Sequence, residues 1–285
     1  SQQPTANSQQ PTANSQQPTA NSQQPTANSQ QPTANSQQES RVICVGGYGR
    51  KGFAALLTNH IPDLNFYGDP QQSFPFYTYD EDGTNRRENI TDWALGEYRA
   101  RYGDETITKW EIFHYIYALL HHPEYRERYA ANLKRDLPRI PYAPEFRAFV
   151  PAGERLADLH VNYESAAEYR LRMVENSDLP LDWRVERMKL SKDKTQIEYN
   201  GFLTLAGIPP EAFEYRLGNR SALEWVIDQY RVKIDERSGI TNDPNRADDP
   251  EYIVRLVKQV ITVSLETMAI VKGLPALHPV AASQA

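Results

Sequence analysis

Thr108-Lys-Trp-Glu-Ile-Phe-His-Tyr-Ile-Tyr-Ala-Leu-Leu-His-His-Pro-Glu-Tyr-Arg126 is the stretch whose reading decides the fold class. Its first four residues form a capping-box pattern, in which the threonine and glutamate side chains satisfy each other's backbone N–H groups. The apolar run Ile112–Leu120 follows, so a helix is expected there. Pro123 stops it and opens a second helix over 123–136, because proline is tolerated only in a helix's first turn. Pro138, Pro141 and Pro144 then punctuate a connector, the natural place for a subdomain boundary. Residues 151–166 again read as helix. His121-His122 closes the first helix, where a cationic imidazole would complement the dipole. No Cys or His at workable spacing makes that pair a metal site.

Strands flank this helical centre on both sides. Upstream, Arg41–Val45 reads as a buried strand running into a glycine-rich turn, Gly46–Gly52, and a short apolar stretch, Phe53–Leu57. Leu64–Tyr67 and Phe74–Tyr79 look like further strands, with Asp80-Glu-Asp-Gly83 as a turn. Downstream, Arg184–Leu190 and Thr195–Tyr199 flank Ser-Lys-Asp-Lys as a hairpin, and Phe202–Leu205 adds a strand. Ser221-Ala-Leu-Glu224 is a second capping box, opening a helix to about Arg231. Asp249-Pro250 reads as an N-cap and first helical residue of a last helix. That helix runs to Lys272 and stops at Gly273. The order β, α, β, α without regular βαβ alternation points to an α+β fold rather than a doubly wound sheet.

Residues 1–38 are different in kind. Five copies of Ser-Gln-Gln-Pro-Thr-Ala-Asn and part of a sixth contain no charge, no aromatic and no large aliphatic residue. Such a segment cannot bury enough apolar surface to order itself, so it reads as a disordered tether. The rest divides, by sequence, into α+β subdomains at 39–145 and 146–285, which could act as one domain. The formal charge of −6 belongs wholly to that remainder. A net acidic chain argues against a non-specific nucleic-acid coat, though not against a reader with one local basic face. The single cysteine, Cys44, excludes a disulfide framework and fits a reducing, cytoplasmic setting. The longest apolar candidate, 252–271, is broken by Arg255, Lys258 and Glu266, so no membrane span is expected. The chain does not open on Met and reads as a fragment or processed product.

Catalytic patterns are sparse. Gly47-Tyr-Gly49-Arg-Lys-Gly52 fits G-x-G-x-x-G after a strand, with Asp69 near the distance of a ribose ligand, so a nucleotide-cofactor enzyme is one reading. A plain glycine-rich hairpin is the preferred one, since Pro62 leaves little room for a helix. No Asn/Asp-Pro-Pro-aromatic string for amino-methylation occurs, and no phosphate loop ending in Gly-Lys-Ser/Thr. Tyr115, Tyr117, Tyr125 and Tyr129 could stack on bases, but amphipathic packing is their commoner use. The chemistry suited to DNA lies in clusters of cations and amides: Asn85, Arg86 and Arg87; Lys189, Lys192 and Lys194; Asn219 and Arg220; Lys233, Arg237, Asn242, Asn245 and Arg246. Arginine pairs with guanine O6/N7 and asparagine with adenine N6/N7 in the major groove.

Two long stretches carry a resemblance. One comprises Asn89–Trp93, Ile112–Arg126, Leu137–Pro141 and Ala157–Glu164. The other comprises Ile197–Asn200, Gly207–Pro209, Ser221–Tyr230, Ser238–Asn245 and Val263–Thr267. Over roughly residues 41–275 the chain resembles the C-terminal target-recognition region of type ISP restriction-modification enzymes. Such enzymes join a nuclease, an ATP-driven translocase, an N6-adenine methyltransferase and a recognition domain. The resemblance implies a duplex-DNA reader with no catalytic site of its own. S-adenosylmethionine, ATP and Mg would then belong to methyltransferase and helicase domains on the same or a neighbouring polypeptide. An inactive gene remnant is the remaining alternative.

Overall fold

The computed structural model describes residues 41–46, 52–62 and 71–277. The repeat, the strand expected at Leu64–Tyr67 and most of the Gly47–Gly52 loop lie outside the described residues. The architecture is α+β, with a long helix near the C-terminal end.

The first core is built on a three-stranded antiparallel sheet with β1 (Val42–Gly46) between β2 (Ala54–Thr58) and β3 (Gln71–Pro75). Ile43 faces Leu57 and Val45 faces Ala55 in register, and all four enter the core. Cys44 and Ala54 pack on the opposite face, which is why the central strand is apolar without alternation. Because β2 runs antiparallel to β1, the chain after Gly52 is a strand. The strand–turn–helix context that a dinucleotide loop requires is therefore missing, and the segment joins a hairpin. The short hairpin β4 (Tyr77–Thr78) and β5 (Arg87–Glu88) follows.

The helices fill the core from one side. Helix α1 (Asp92–Tyr102) buries only Tyr98, yet Thr91 caps its start and Gly103, at φ 61, its end. Helix α2 (Lys109–His121) opens with both bonds of the Thr108/Glu111 capping box and buries most of its length. The expected helix over 123–136 is two pieces, α3 (Pro123–Arg128) and α4 (Ala130–Leu133), interrupted at Tyr129. Helix α5 (Phe146–Val161) starts five residues earlier than its sequence suggests and carries Pro151 inside it. Burial of Phe146 and Phe149 holds the turn that proline would otherwise break. At the α2/α5 crossing, a Cβ on Gly153 would lie 1.8 Å from the His114 carbonyl oxygen, so only glycine allows this approach.

Tyrosines tie the proline-rich connector down. The Tyr115 hydroxyl donates to the Pro141 carbonyl at 2.6 Å and accepts from the Ala143 N–H at 2.7 Å. Tyr102 donates to Ala143 and Tyr125 to Arg139. Packing, not base stacking, is what these rings do.

The second core sits under a four-stranded antiparallel sheet ordered β6 (Arg172–Glu175), β9 (Leu203–Ala206), β8 (Gln196–Glu198), β7 (Lys189–Leu190). The expected hairpin is present as β7–β8, shorter than its sequence suggests. A small hairpin, β10 (Arg216–Leu217) and β11 (Arg220–Ser221), leads into α6 (Ala222–Gln229), capped reciprocally by Ser221 and Glu224. A last hairpin, β12 (Lys233–Ile234) and β13 (Thr241–Asn242), precedes α7 (Tyr252–Lys272). Asp249 does not cap α7 with its side chain. Its carbonyl accepts from the Tyr252 N–H, and its carboxylate binds Arg255 instead. The first half of α7 packs into the second core through Ile253, Val257 and Ile261, and its end into the first through Ile270 and Val271. No helix among the described residues is long and apolar enough to cross a membrane.

Where α2, α5 and α7 meet, His160 accepts or donates at both ring nitrogens, to the Tyr117 hydroxyl at 2.6 Å and the Thr267 hydroxyl at 2.9 Å. Burial pushes its pKa down to about 3. His121 is also fully enclosed and held well below the ordinary histidine value by burial. It is therefore neutral, and the cationic helix-end role expected for it does not hold. Tyr215 stacks flat on His160, 5.1 Å between centroids, and its buried hydroxyl has no hydrogen-bond partner among the described residues. Both rings line a groove of about 840 Å³ between the two cores, with Leu57, Trp225 and Val260 among its walls.

Candidate nucleic-acid interface

The cation and amide clusters fall on four hairpins. Asn85, Arg86 and Arg87 lie on the β4–β5 hairpin, beside the first core. Asn85 takes a left-handed conformation, φ 52, and donates to Asp80 at 2.6 Å, while Arg87 pairs with the same carboxylate at 2.7 Å. Those two bonds hold the Asp80 carboxyl below its usual pKa, and they close the turn. Arg86 lies over the Tyr77 ring, 4.6 Å from its centroid.

The remaining residues belong to the second core's rim. Lys189 pairs across the sheet with Glu198 at 2.9 Å, its register partner. Lys192 is exposed at the hairpin turn and makes no ion pair among the described residues. Lys194, at φ 59, reaches Glu224 at 2.8 Å and so ties the turn to α6. Asn219 accepts from Arg216 through its backbone carbonyl within the β10–β11 turn, leaving its side chain exposed. Arg220 pairs with Asp228 at 2.9 Å and covers Trp225.

The last cluster forms the β12–β13 hairpin and its exit. Lys233 donates to Gln229 at 3.2 Å. Arg237 is exposed near the turn, and Asn242 is exposed on β13. Asn245 has another job. Its side-chain amide accepts from the Val185 N–H at 2.8 Å and donates to the Val185 carbonyl at 2.8 Å, like one more rung of a ladder. With both ends engaged, it has no free edge for a base. Arg246 lies over Tyr252, with its Cζ 3.3 Å from the ring centroid.

Sequence reasoning did not single out Arg184, which joins this group through Asp243 at 2.9 Å. Asn245 and Arg184 hold the Asp243 carboxyl below its usual range. The signal for it lay 59 residues upstream of Asp243 in the chain, with nothing local to reveal it. Ile234 and Ile240, each 67% exposed, join no sequence cluster, because nothing in their neighbours marks them as solvent-facing.

The model of one protein family, the Type ISP C-terminal specificity domain, matches residues 21–256. The chain belongs to that family. The nuclease-deletion mutant of the Type ISP restriction-modification enzyme LlaGI, solved in complex with a DNA substrate mimic, is similar at 37% identity and TM-score 0.71. The match covers 84% of this chain and 21% of that one. The DrdV–DNA complex is similar at 39% identity and TM-score 0.75, over 85% of this chain and 25% of that one. The ATP-dependent Type ISP enzyme LlaBIII bound to DNA follows at 31% and 0.74, over 84% and 16%. Curated proteins provide no match. This Type ISP specificity domain thus spans a quarter or less of the length of the enzymes it resembles.

Proposed function

We propose that the chain reads a short sequence in duplex DNA on behalf of a type ISP restriction-modification system, and performs no chemistry itself. The observation that carries this reading is the combination of identity and extent. Between 31% and 39% identity runs through more than four-fifths of this chain, in three enzymes solved with DNA, yet it accounts for only a small part of each. Methyl transfer, ATP hydrolysis and cleavage, with S-adenosylmethionine, ATP and Mg, are assigned to domains outside this region.

The electrostatics suit a specific reader. The chain carries −6 overall, so repulsion from phosphates disfavours indiscriminate coating. Many candidate cations are already neutralised by neighbouring carboxylates, among them Arg87, Lys189, Lys194 and Arg220. Lys192, Lys233, Arg237 and Arg246 make no salt bridge among the described residues and are the proposed phosphate and base contacts.

Fluorescence anisotropy of the full chain on a pool of randomised duplexes tests the reading. Binding is expected at low salt, weakening with a log–log slope of roughly −0.9 per phosphate neutralised, so about −4 for four contacts. Absence of binding above that of an acidic control protein, with the methyltransferase polypeptide added, overturns it.

A further inference from the structure

The β12–β13 hairpin stands apart from both cores. Every residue from Ile234 to Asp243 is exposed, so neither face of this two-stranded ribbon is covered. In register, Lys233 faces Asn242 and Ile234 faces Thr241, and Asp235 bonds to the Ile240 carbonyl one step nearer the turn. Alternation therefore puts Ile234 on one face and Ile240 on the other. Two isoleucines bared on opposite faces of one ribbon favour a partner that surrounds it, rather than a flat one.

Its base is rigid. Val232 donates to the Glu186 carbonyl at 3.0 Å, Arg184 grips Asp243, and Asn245 binds the Val185 backbone through both ends of its amide. Its tip is preformed as well. Asp235 accepts from the Arg237 and Ser238 N–H groups and from the Ser238 hydroxyl, and Gly239 turns at φ 70. Two of the ribbon's three acids, Asp235 and Asp243, are thus engaged in holding its shape. Glu236 is the third.

We propose that this ribbon enters the major groove of duplex DNA and is the element that reads bases. The proposal rests on the DNA-reading function inferred above and names where that reading occurs. The major groove, about 12 Å wide, admits a two-stranded ribbon. Arg237 at the tip presents the donor fork that matches guanine, and Asn242 the donor–acceptor pair that matches adenine. Ile234, Ile240 and the Thr241 methyl supply apolar contact for thymine methyl groups. Glu236 would repel a phosphate but accepts from cytosine N4 in the groove. Lys233, held beside Gln229 at the ribbon's root, is placed for the flanking phosphate backbone. A ribbon with this balance of charge is poor at following phosphates and suited to discriminating between base edges.

The test is selection from a randomised duplex pool, followed by sequencing of the bound fraction. It compares the full chain with Arg237→Ala, Arg237→Gln, Asn242→Ala and the Ile234→Ser/Ile240→Ser pair. These side chains are exposed, so melting temperatures are expected to match the wild type. Wild type enriches one pattern. Each alanine variant loses about 10- to 100-fold discrimination at a single base pair, and Arg237→Gln moves the preference there from guanine towards adenine. Arg101→Ala, an exposed cation on α1, keeps the wild-type pattern. If all ribbon variants select the wild-type pattern with wild-type enrichment, another surface reads the bases and only this proposal falls. If the wild type enriches no pattern, the reading function falls with it.

Discussion

The same substitution is expected to act with opposite sign at two helical glycines. Gly153 lies where α5 crosses α2, and a Cβ there would stand 1.8 Å from the His114 carbonyl oxygen and 2.5 Å from its carbon. These are backbone atoms of a buried helix, so no rotamer change relieves the contact. The helices must part by about 1.5 Å to reach ordinary van der Waals separation. That movement loosens the layer formed by Phe113, Tyr117, Phe149 and Leu156, all in the same core. Overpacking of this kind costs about 1–3 kcal/mol and occasionally more, against about 1 kcal/mol gained when alanine replaces glycine in a helix. With a rigid partner, the upper end of the range applies, and Gly153→Ala should lose roughly 3 kcal/mol. For a domain of this size that lowers Tm by about 6–12 °C. Gly96, exposed within α1, has nothing within 4 Å of its added Cβ. There only the helix term acts, and Gly96→Ala should raise Tm by about 2–3 °C. Urea titration of both variants, at unchanged m, reads the difference. A wild-type midpoint for Gly153→Ala, or shifts in the same direction for both, refutes the close-crossing argument.

Acid should unfold the protein from below pH 6.5, because His160 is neutral in the native state with its pKa pushed down to about 3, and His114 likewise to about 4. Their contribution is complete above the unfolded histidine pKa and is lost as pH falls towards the folded values, at up to about 1.4 kcal/mol per pH unit for each ring that stays neutral. Urea titrations between pH 4 and 6 should therefore show a shallower pH dependence in His160→Gln, by that amount; equal slopes would contradict it. Tyr215→Phe removes a buried hydroxyl without a partner among the described residues, and should stabilise by about 1 kcal/mol or leave stability unchanged; a loss above about 1 kcal/mol would refute that account.

Legibility in the sequence followed the range of the interactions. Both capping boxes were readable because Thr108 and Glu111, or Ser221 and Glu224, satisfy each other within four residues. Helix α1 was silent because a helix that buries only Tyr98 has no apolar period to detect. Helix α5 was misplaced at its start because Pro151 is a local signal, and the burial that overrides it is tertiary. At the candidate interface, the chemistry of each cation was legible but its neighbours were not. Nothing near Asn245 indicates that its amide completes a ladder with Val185, 60 residues earlier. The turn at Asp80–Gly83 was legible, but not that Arg87 closes it by pairing with Asp80.

Helix α7 has a consequence for how the protein is made. It seals the second core with its first half and the first core with its last turns. A ribosome delivers it after every strand and helix that it covers. Until Tyr252–Lys272 has been synthesised, the apolar side chains that it covers in both cores stay open to water. The nascent chain is therefore most prone to self-association just before this helix emerges, and chaperone occupancy should peak there.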